Sequence, residues 1–202
     1  AGTSVNKAFI QALGGDESTF ERLAGSFSNR LLIKGMPIVG WDLPLINKSA
    51  YFYAFSHLPT HLLRLSDDTF SFTFLRDPIQ RVLSHYKMLQ DLKDANSNHP
   101  TLKAENDLAS GDFNHFLKNI ERHHLENQLF MFSKKFDIDE ALDRLASLSY
   151  VGLIENYSEE FIPLISSEFS LEITYKHLRK SQHSFELNNV TKKKLEKQMA
   201  SE

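Results

Sequence analysis

Residues 70–86 read FSFTFLRDPIQRVLSHY and join a strand pattern to a helix start. A phenylalanine at every second position predicts a strand over Thr69–Leu75 with one aromatic face. Asp77 and Pro78 are typical of the N-cap and the first position of the helix that follows. Proteins of the α/β class hold phosphate or sulfate where a strand's carboxyl end meets a helix N-terminus. Arg76 stands at this point, so the segment predicts an anion site.

Strand and helix patterns alternate along the rest of the chain. The alternation predicts an α/β fold with a three-layer arrangement, in which helices cover both faces of a mostly parallel sheet. The length and the hydrophobic content of 41% suit one domain over residues 1–202. Asp94–Gly111 is polar and predicts a loop with a helical turn at its end. Short strands are expected at Arg30–Ile33, Ile38–Val39, Tyr51–Phe55 and Ser149–Leu153, and helices at residues 3–13 (with Gly14 and Gly15 as the stop), 78–93, 113–132, 138–148, 158–169 and from Thr191.

The charge balance narrows the function classes. A formal charge of -3 and a pI of about 6.3 argue against a general nucleic-acid or anionic-membrane binder. Basic residues cluster at Lys176–Lys180 and Lys192–Lys197. Either run can attract an acidic polysaccharide, and a solvated helix face explains the second equally well.

The chain contains no cysteine. This excludes disulfides, thiolate metal sites and cysteine nucleophiles, and it favours a reducing or bacterial-type compartment. No apolar run approaches the ~20 residues that span a bilayer, and the first residues do not form a signal peptide. We therefore expect a soluble, cytoplasmic chain, with a lumenal or membrane-tethered parent protein left open.

Two motifs besides the strand-helix segment suit the same anion chemistry. Ala1-Gly2-Thr3-Ser4 opens a helix, where free backbone N–H groups and the helix dipole favour an anion, although such a start also serves as an ordinary cap. His57, in Ser56-His57-Leu58-Pro59, follows a predicted strand and has the intrinsic pKa of a general base. Taken singly, it is equally a polar surface residue.

Arg76 offers a planar fork of donors, and Ser84 lies two helical turns beyond it. The alternative for Arg76 is an ion pair with Asp77. For Arg81 we favour a structural pair with Asp77 one turn back. The remaining histidines show no spacing with carboxylates that suggests a metal site, and His123 and His124 are expected on different sides of a helix.

Taken together, these segments resemble the carbohydrate sulfotransferase superfamily, most closely the heparan sulfate 2-O-sulfotransferase type. The resemblance runs in order through Ala1-Gly2-Thr3-Ser4, Ser56-His57-Leu58-Pro59 and Phe74-Leu75-Arg76-Asp77-Pro78 with Arg81 and Ser84. It continues through Asn127-Gln128, Val151-Gly152-Leu153-Ile154-Glu155 and His177-Leu178-Arg179-Lys180-Ser181. The motif Phe74–Pro78 with Arg81 and Ser84 is specific by itself. Each of the other segments is a weak signal singly, but all of them occur in the family's order.

The resemblance implies a P-loop-like sulfotransferase fold and 3′-phosphoadenosine 5′-phosphosulfate as the sulfuryl donor, with no metal. It further implies that His57 is the catalytic base and that the acceptor is a hydroxyl group, with a saccharide as the expected carrier. The implied donor contacts are Ala1, Gly2, Thr3 and Ser4 at the 5′ end, Arg76 and Ser84 at the 3′-phosphate, and Arg179, Lys180 and Ser181 over the nucleotide.

Two departures accompany the resemblance. The family loop has a lysine just before the point where this chain begins, and the family's terminal helix lies past the point where it stops, so we expect a domain trimmed at both ends.

Two other functions stay open. A nucleotide-dependent phosphotransferase needs a Gly-Lys-Ser/Thr loop and a Mg²⁺ carboxylate, and a non-catalytic binder of sulfated or phosphorylated ligands needs neither.

Overall fold

The structure is a computed structural model that describes residues 2–24, 29–174 and 187–200. The chain divides into two compact units. The first comprises Ala1–Leu75 and Met131–Arg179, and the second comprises Arg76–Phe130 and Lys180–Glu202. Each unit is described separately, and the single domain over residues 1–202 stays a prediction.

All five described strands lie in the first unit and form two small sheets. In the first sheet the order is β1-β2-β3, where β1 and β2 are antiparallel and β2 and β3 parallel; the second sheet pairs β4 and β5 in parallel. The turn between β1 and β2 has positive φ at both Lys34 and Gly35, as a two-residue hairpin with a type I′ turn requires. The strands are β1 (Asn29–Ile33), β2 (Met36–Gly40), β3 (Tyr53–Phe55), β4 (Phe72–Leu75) and β5 (Tyr150–Leu153).

Helices make up the rest of the regular structure of the first unit and most of the second unit. The mixture of helices and strands confirms the predicted α/β character. The helices are α1 (Gly2–Ala12), α2 (Glu17–Ala24), α3 (Leu43–Ile46), α4 (Pro78–Asp94), α5 (Pro100–Ala104), α6 (Asn106–Ser110), α7 (Phe113–Asn119), α8 (Arg122–Leu125), α9 (Asn127–Phe132), α10 (Ile138–Ala146), α11 (Ile162–Phe169) and α12 (Asn189–Gln198).

Strong local signals predicted their elements correctly. The helix α1 ends before Gly14, whose φ of 95° is the left-handed conformation that commonly ends a helix. Asp77 caps α4, because its side chain accepts a hydrogen bond from the N–H of Gln80 at 2.8 Å. The strand β4 is shorter than predicted, but its phenylalanines pack against the core as the alternation indicated.

Three segments differ from the prediction. The polar segment 94–111 contains α5 and α6, which bury Leu102 and Leu108. The helix expected over residues 113–132 is three short helices, since the chain is extended at Ile120. The helix expected over residues 158–169 begins with a π-helical turn, Tyr157–Phe161, next to Pro163, which has no N–H to donate.

Each unit has its own apolar core. In the first unit Phe9 of α1 stacks on Tyr53 of β3 at 4.5 Å and lies 5.8 Å from Phe72 of β4. Phe161 closes this cluster against Phe72 at 4.6 Å and Phe74 at 4.8 Å. In the second unit α4, α6, α7 and α12 bury a separate cluster that includes Val82, Phe116 and Leu195.

None of the helices in the described ranges has both the length and the apolar content that crossing a membrane requires.

Candidate functional site

The opening turn of α1 suits an anion electrostatically. Its first turn contains no acidic residue, whereas the N-termini of α3, α4, α7 and α10 are each capped by an aspartate. The N–H groups of a first turn have no partner within their helix, and the helix dipole makes that end positive. The turn therefore carries no carboxylate of its own that would repel a phosphate or a sulfate.

The four predicted contact residues of this turn differ in their accessibility. Gly2 is exposed, Thr3 is half-buried and Ser4 is buried. Ala1 lies outside the described residues. Because Ser4 is buried, an anion at the surface can approach the backbone of Gly2 and Thr3 more closely than the Ser4 hydroxyl.

His57 lies against this opening turn. A Cβ placed on Gly2 would be 3.7 Å from Cε1 of His57, which is ordinary van der Waals contact. The loop that carries the histidine is fixed nearby, since Ser56 Oγ accepts a hydrogen bond from the Leu58 N–H at 3.0 Å and the Thr60 hydroxyl donates to the Met131 carbonyl at 2.9 Å. The structure thus brings together two residues that the sequence placed far apart.

Burial lowers the pKa of His57 below its ordinary value of 6.5. Part of the side chain remains exposed, and its ring contacts the indole of Trp41 with 4.5 Å between the ring centroids. A lowered pKa keeps the imidazole neutral near pH 7, and the neutral ring is the form that accepts a proton. His57 therefore has the protonation state and the accessibility of a general base.

Arg76, in the second unit, has its backbone fixed by one side chain. The Arg76 N–H donates to Oε1 of Gln128 at 2.7 Å, and Nε2 of Gln128 donates to the Arg76 carbonyl at 3.0 Å. The Gln128 side-chain amide therefore pairs with both the N–H and the carbonyl of Arg76, which lies between β4 and α4. Sequence reasoning noted Gln128 only as part of a resemblance and did not foresee this role, because no local pattern links residues so far apart.

Two further residues of the motif lie on α4. The Arg81 guanidinium donates to the carbonyl oxygens of His124, at 2.7 Å, and Leu125. Its role is structural as predicted, but the partners shown are these carbonyls of α8 and not the Asp77 side chain. Ser84 is exposed, two turns beyond the N-cap and on the same helical face as Asp77 by periodicity. An exposed hydroxyl at this position is available to a ligand.

A cluster of titratable side chains in the second unit was not foreseen. Nε2 of His85 lies 2.7 Å from the Glu105 carboxylate, and the His85 ring is 5.7 Å from that of His124. The rings of His123 and His124 are 4.1 Å apart, so the expectation that they lie on different sides of a helix is wrong. Over residues 2–24, 29–174 and 187–200, no group of three histidine, aspartate or glutamate side chains is arranged to hold a metal ion.

Three predicted nucleotide contacts, Arg179, Lys180 and Ser181, lie outside the described residues.

Comparison with known proteins supports one class of protein. Residues 47–140, just under half of the chain, match the model of the Sulfotransferase family. The matched segment contains His57, Arg76, Ser84 and Gln128, and it does not reach the opening turn of α1. No curated protein and no solved structure matched the chain. The match supports a transferase that moves a sulfuryl group, and the heparan sulfate 2-O-sulfotransferase type is not confirmed.

Proposed function

We propose that this protein transfers a sulfuryl group from 3′-phosphoadenosine 5′-phosphosulfate to a hydroxyl group of a carbohydrate. The observation that carries the proposal is the position of His57 beside the opening turn of α1, where a Cβ added to Gly2 would lie 3.7 Å from the imidazole. A neutral base beside a turn that favours anions is what proton removal next to a sulfuryl donor requires. The family match over residues 47–140 supports the same reaction class.

The residues of the chain fit the donor in two separate places. In the first unit the opening turn of α1, free of carboxylates, suits the 5′-phosphosulfate. In the second unit the Arg76 guanidinium and the Ser84 hydroxyl suit the 3′-phosphate. The planar N–H donors of a guanidinium and the hydroxyl can both donate hydrogen bonds to phosphate oxygens. Ala1, Arg179, Lys180 and Ser181 belong to the same assignment by resemblance. The donor supplies an activated sulfuryl group, so no metal enters the proposal.

The protein's part in the reaction is positioning and proton transfer. His57 accepts the proton of the acceptor hydroxyl on an imidazole nitrogen while the acceptor oxygen bonds to sulfur and the sulfur–oxygen bond to the nucleotide breaks. The positive end of α1 stabilises the negative charge that develops on the leaving phosphate. By analogy with phosphoryl transfer, such positioning and charge stabilisation dominate the rate.

The three-layer, P-loop-like arrangement is part of this proposal. Phe9 supports it, because one side chain of α1 packs on Tyr53 of β3 and on Phe72 of β4. A helix that lies over strands of both sheets is the local geometry of a sheet covered by a helix layer.

The test combines an activity assay with a binding measurement on matched variants. His57→Ala and His57→Gln are expected to lower turnover by ~10²–10⁴-fold, while the affinity for 3′,5′-adenosine bisphosphate, measured by calorimetry, stays unchanged. Because the pKa of His57 is lowered, the unaltered protein keeps its activity to a more acidic pH than an ordinary histidine permits and loses it below that pKa. Full activity of His57→Ala would remove the residue from the mechanism.

The other functions are outcomes of the same assay with labelled donors. Phosphate transfer from a nucleoside triphosphate that depends on Mg²⁺ would identify a phosphotransferase. Binding of 3′,5′-adenosine bisphosphate without turnover on any hydroxyl acceptor would identify a non-catalytic binder. Transfer of labelled sulfate without added metal supports the proposal, and a saccharide panel then tests the acceptor class.

A further inference from the structure

Trp41 lies directly after β2 and contacts a face of His57. The centroids of the two rings are 4.5 Å apart, with 50° between their planes. The indole also meets the ring of Phe55 edge-on, at 6.4 Å and 80°. Because Phe55 belongs to the core of the first unit, Trp41 connects that core to the imidazole.

The backbone of Trp41 is held in an unusual conformation. Its φ of 62° lies in the left-handed region, which a large side chain rarely adopts. The chain is fixed on both sides of this residue. The Trp41 N–H donates to the Phe55 carbonyl at 2.9 Å, and the next residue, Asp42, caps α3 by accepting from the Leu45 N–H at 3.0 Å. Strained residues that the surrounding structure maintains cluster at functional sites.

The fold itself does not require a tryptophan at this position. Nε1 of Trp41 is buried and has no hydrogen-bond partner among the described residues. A buried indole N–H usually finds a partner, and a phenylalanine would fill an apolar gap without leaving a donor unmatched. What the indole adds here is a larger surface against the imidazole.

We propose that Trp41 is a positioning residue for His57: the indole holds the imidazole against the opening turn of α1 and keeps water from the face that it covers. The inference rests on the proposed function, in which His57 is the base. Neither Gly2, which lies beside the ring on α1, nor Trp41, which contacts it from the end of β2, carries a charge. These contacts therefore act on the pKa of His57 by removing water, which is the main cause of its lowering; the positive charge of the chain's amino group lowers it further.

A nuclear magnetic resonance titration of His57 in the full chain, without donor or acceptor, tests this role. Trp41→Gly removes the indole and suits a positive φ. We expect the pKa of His57 to rise toward 6.5 in this variant. The matched control is Ser49→Gly, an exposed position with φ of 53°, which should leave the titration unchanged. A folded Trp41→Gly protein whose His57 titrates as in the unaltered protein overturns the inference.

Tryptophan fluorescence gives a second measurement, which needs no variant of Trp41. The chain contains one tryptophan, and a protonated imidazole in contact with an indole quenches its emission. We expect the emission to fall as the pH decreases through the pKa of His57, and this step to be absent in His57→Gln. Emission that does not follow the titration of His57 overturns the contact, and this result decides the question if Trp41→Gly does not fold.

The activity assay separates positioning from a merely structural role. In Trp41→Gly the acid limb of the kcat profile should move to higher pH, while the affinity for 3′,5′-adenosine bisphosphate stays unchanged, and Trp41→Phe should be intermediate. An unchanged kcat profile would contradict the inference. If the unaltered protein transfers no sulfuryl group but the titrations behave as expected, the proposed function fails and the control of the His57 pKa by Trp41 holds.

Discussion

Gln128 is the residue that fixes the backbone of Arg76, the proposed contact to the 3′-phosphate. Its amide satisfies the N–H and the carbonyl of Arg76 together, so the backbone at the end of β4 cannot turn to satisfy them elsewhere. A guanidinium on a fixed backbone loses less conformational freedom when it binds a phosphate.

Replacing Gln128 by leucine should therefore affect both stability and binding. Two half-buried backbone groups lose their partners, and we expect the free energy of unfolding to fall by ~1–3 kcal/mol and the affinity for 3′,5′-adenosine bisphosphate to fall with it. Urea unfolding and calorimetry measure the two effects. Asn127→Ala, which removes a 3.3 Å hydrogen bond to the His123 carbonyl, is the matched control on the same helix. Unchanged affinity in Gln128→Leu would separate Gln128 from the ligand site.

At the scale of elements, one pair of side chains connects α4 to the junction of α5 and α6. Burial opposes the ionisation of Glu105, but the hydrogen bond from His85 and the nearby histidine charges outweigh it, so the pKa of Glu105 lies below 4.5. Burial lowers the pKa of His124, which lies against the same cluster. Both shifts make the second unit less stable in acid: the contribution of His124 is lost as the pH falls below 6.5, and that of Glu105 as it falls from 4.5 through the lowered pKa.

Glu105→Gln tests this pair. We expect it to lower the free energy of unfolding by ~1–3 kcal/mol at pH 7 and to flatten the loss of stability below pH 4.5. Thermal unfolding followed across pH 4 to 8 gives the profile. Glu121→Gln is the control, because that carboxylate lies 3.1 Å from His123 but is 74% exposed, and exposed pairs contribute little. Equal profiles for the two variants would refute the role of Glu105.

Phe9 is the aromatic side chain through which α1 packs on the strands of the first unit. Phe9 is 4% exposed and stacks on Tyr53 with 3° between the ring planes. We expect Phe9→Ala to cost ~3–5 kcal/mol in the free energy of unfolding by urea. Phe52→Ala, at a side chain that is 43% exposed, should cost far less. A small loss in Phe9→Ala would mean that other contacts hold α1.

For the whole molecule, binding of the donor product should raise the unfolding temperature. At 100 times its dissociation constant, 3′,5′-adenosine bisphosphate should add ~2.7 kcal/mol. Arg76→Ala should abolish most of this gain, since it removes a charged hydrogen bond worth ~1.5–3 kcal/mol, whereas Arg30→Ala, at an exposed arginine, should retain it. A thermal shift measures both, with 5′-adenosine monophosphate as the ligand control. An equal shift with the monophosphate would refute the 3′-phosphate assignment.

The sequence predicted those parts of the molecule whose cause is local. The alternating phenylalanines, the Asp77-Pro78 start and the Gly14-Gly15 stop each fix an element through the backbone chemistry of a few neighbours, and each element is present. The helices α5 and α6 were missed because their apolar residues are too few to give a clear period within a polar segment. Their stability comes from burial in the core of the second unit, which a local pattern does not reveal.

The candidate site likewise has some features with a local cause and others that depend on tertiary structure. The sequence identified His57 and Arg76 by their residue types and by their positions after predicted strands. Their roles, as a general base and as a phosphate contact respectively, remain proposals. The partners that hold them were not foreseen, since Trp41 approaches His57 and Gln128 pairs with Arg76 only through tertiary structure. One sequence contains no signal that would pair Trp41 with a histidine.

The amide of Gln128 also has a consequence for solubility. A strand end with unpaired backbone groups is a template on which another chain can add a strand and begin to aggregate. At Arg76 both groups are already occupied by a side chain of the same unit. The ladder of β4 and β5 therefore has no free backbone N–H or carbonyl at Arg76 to which a strand of another chain could bind.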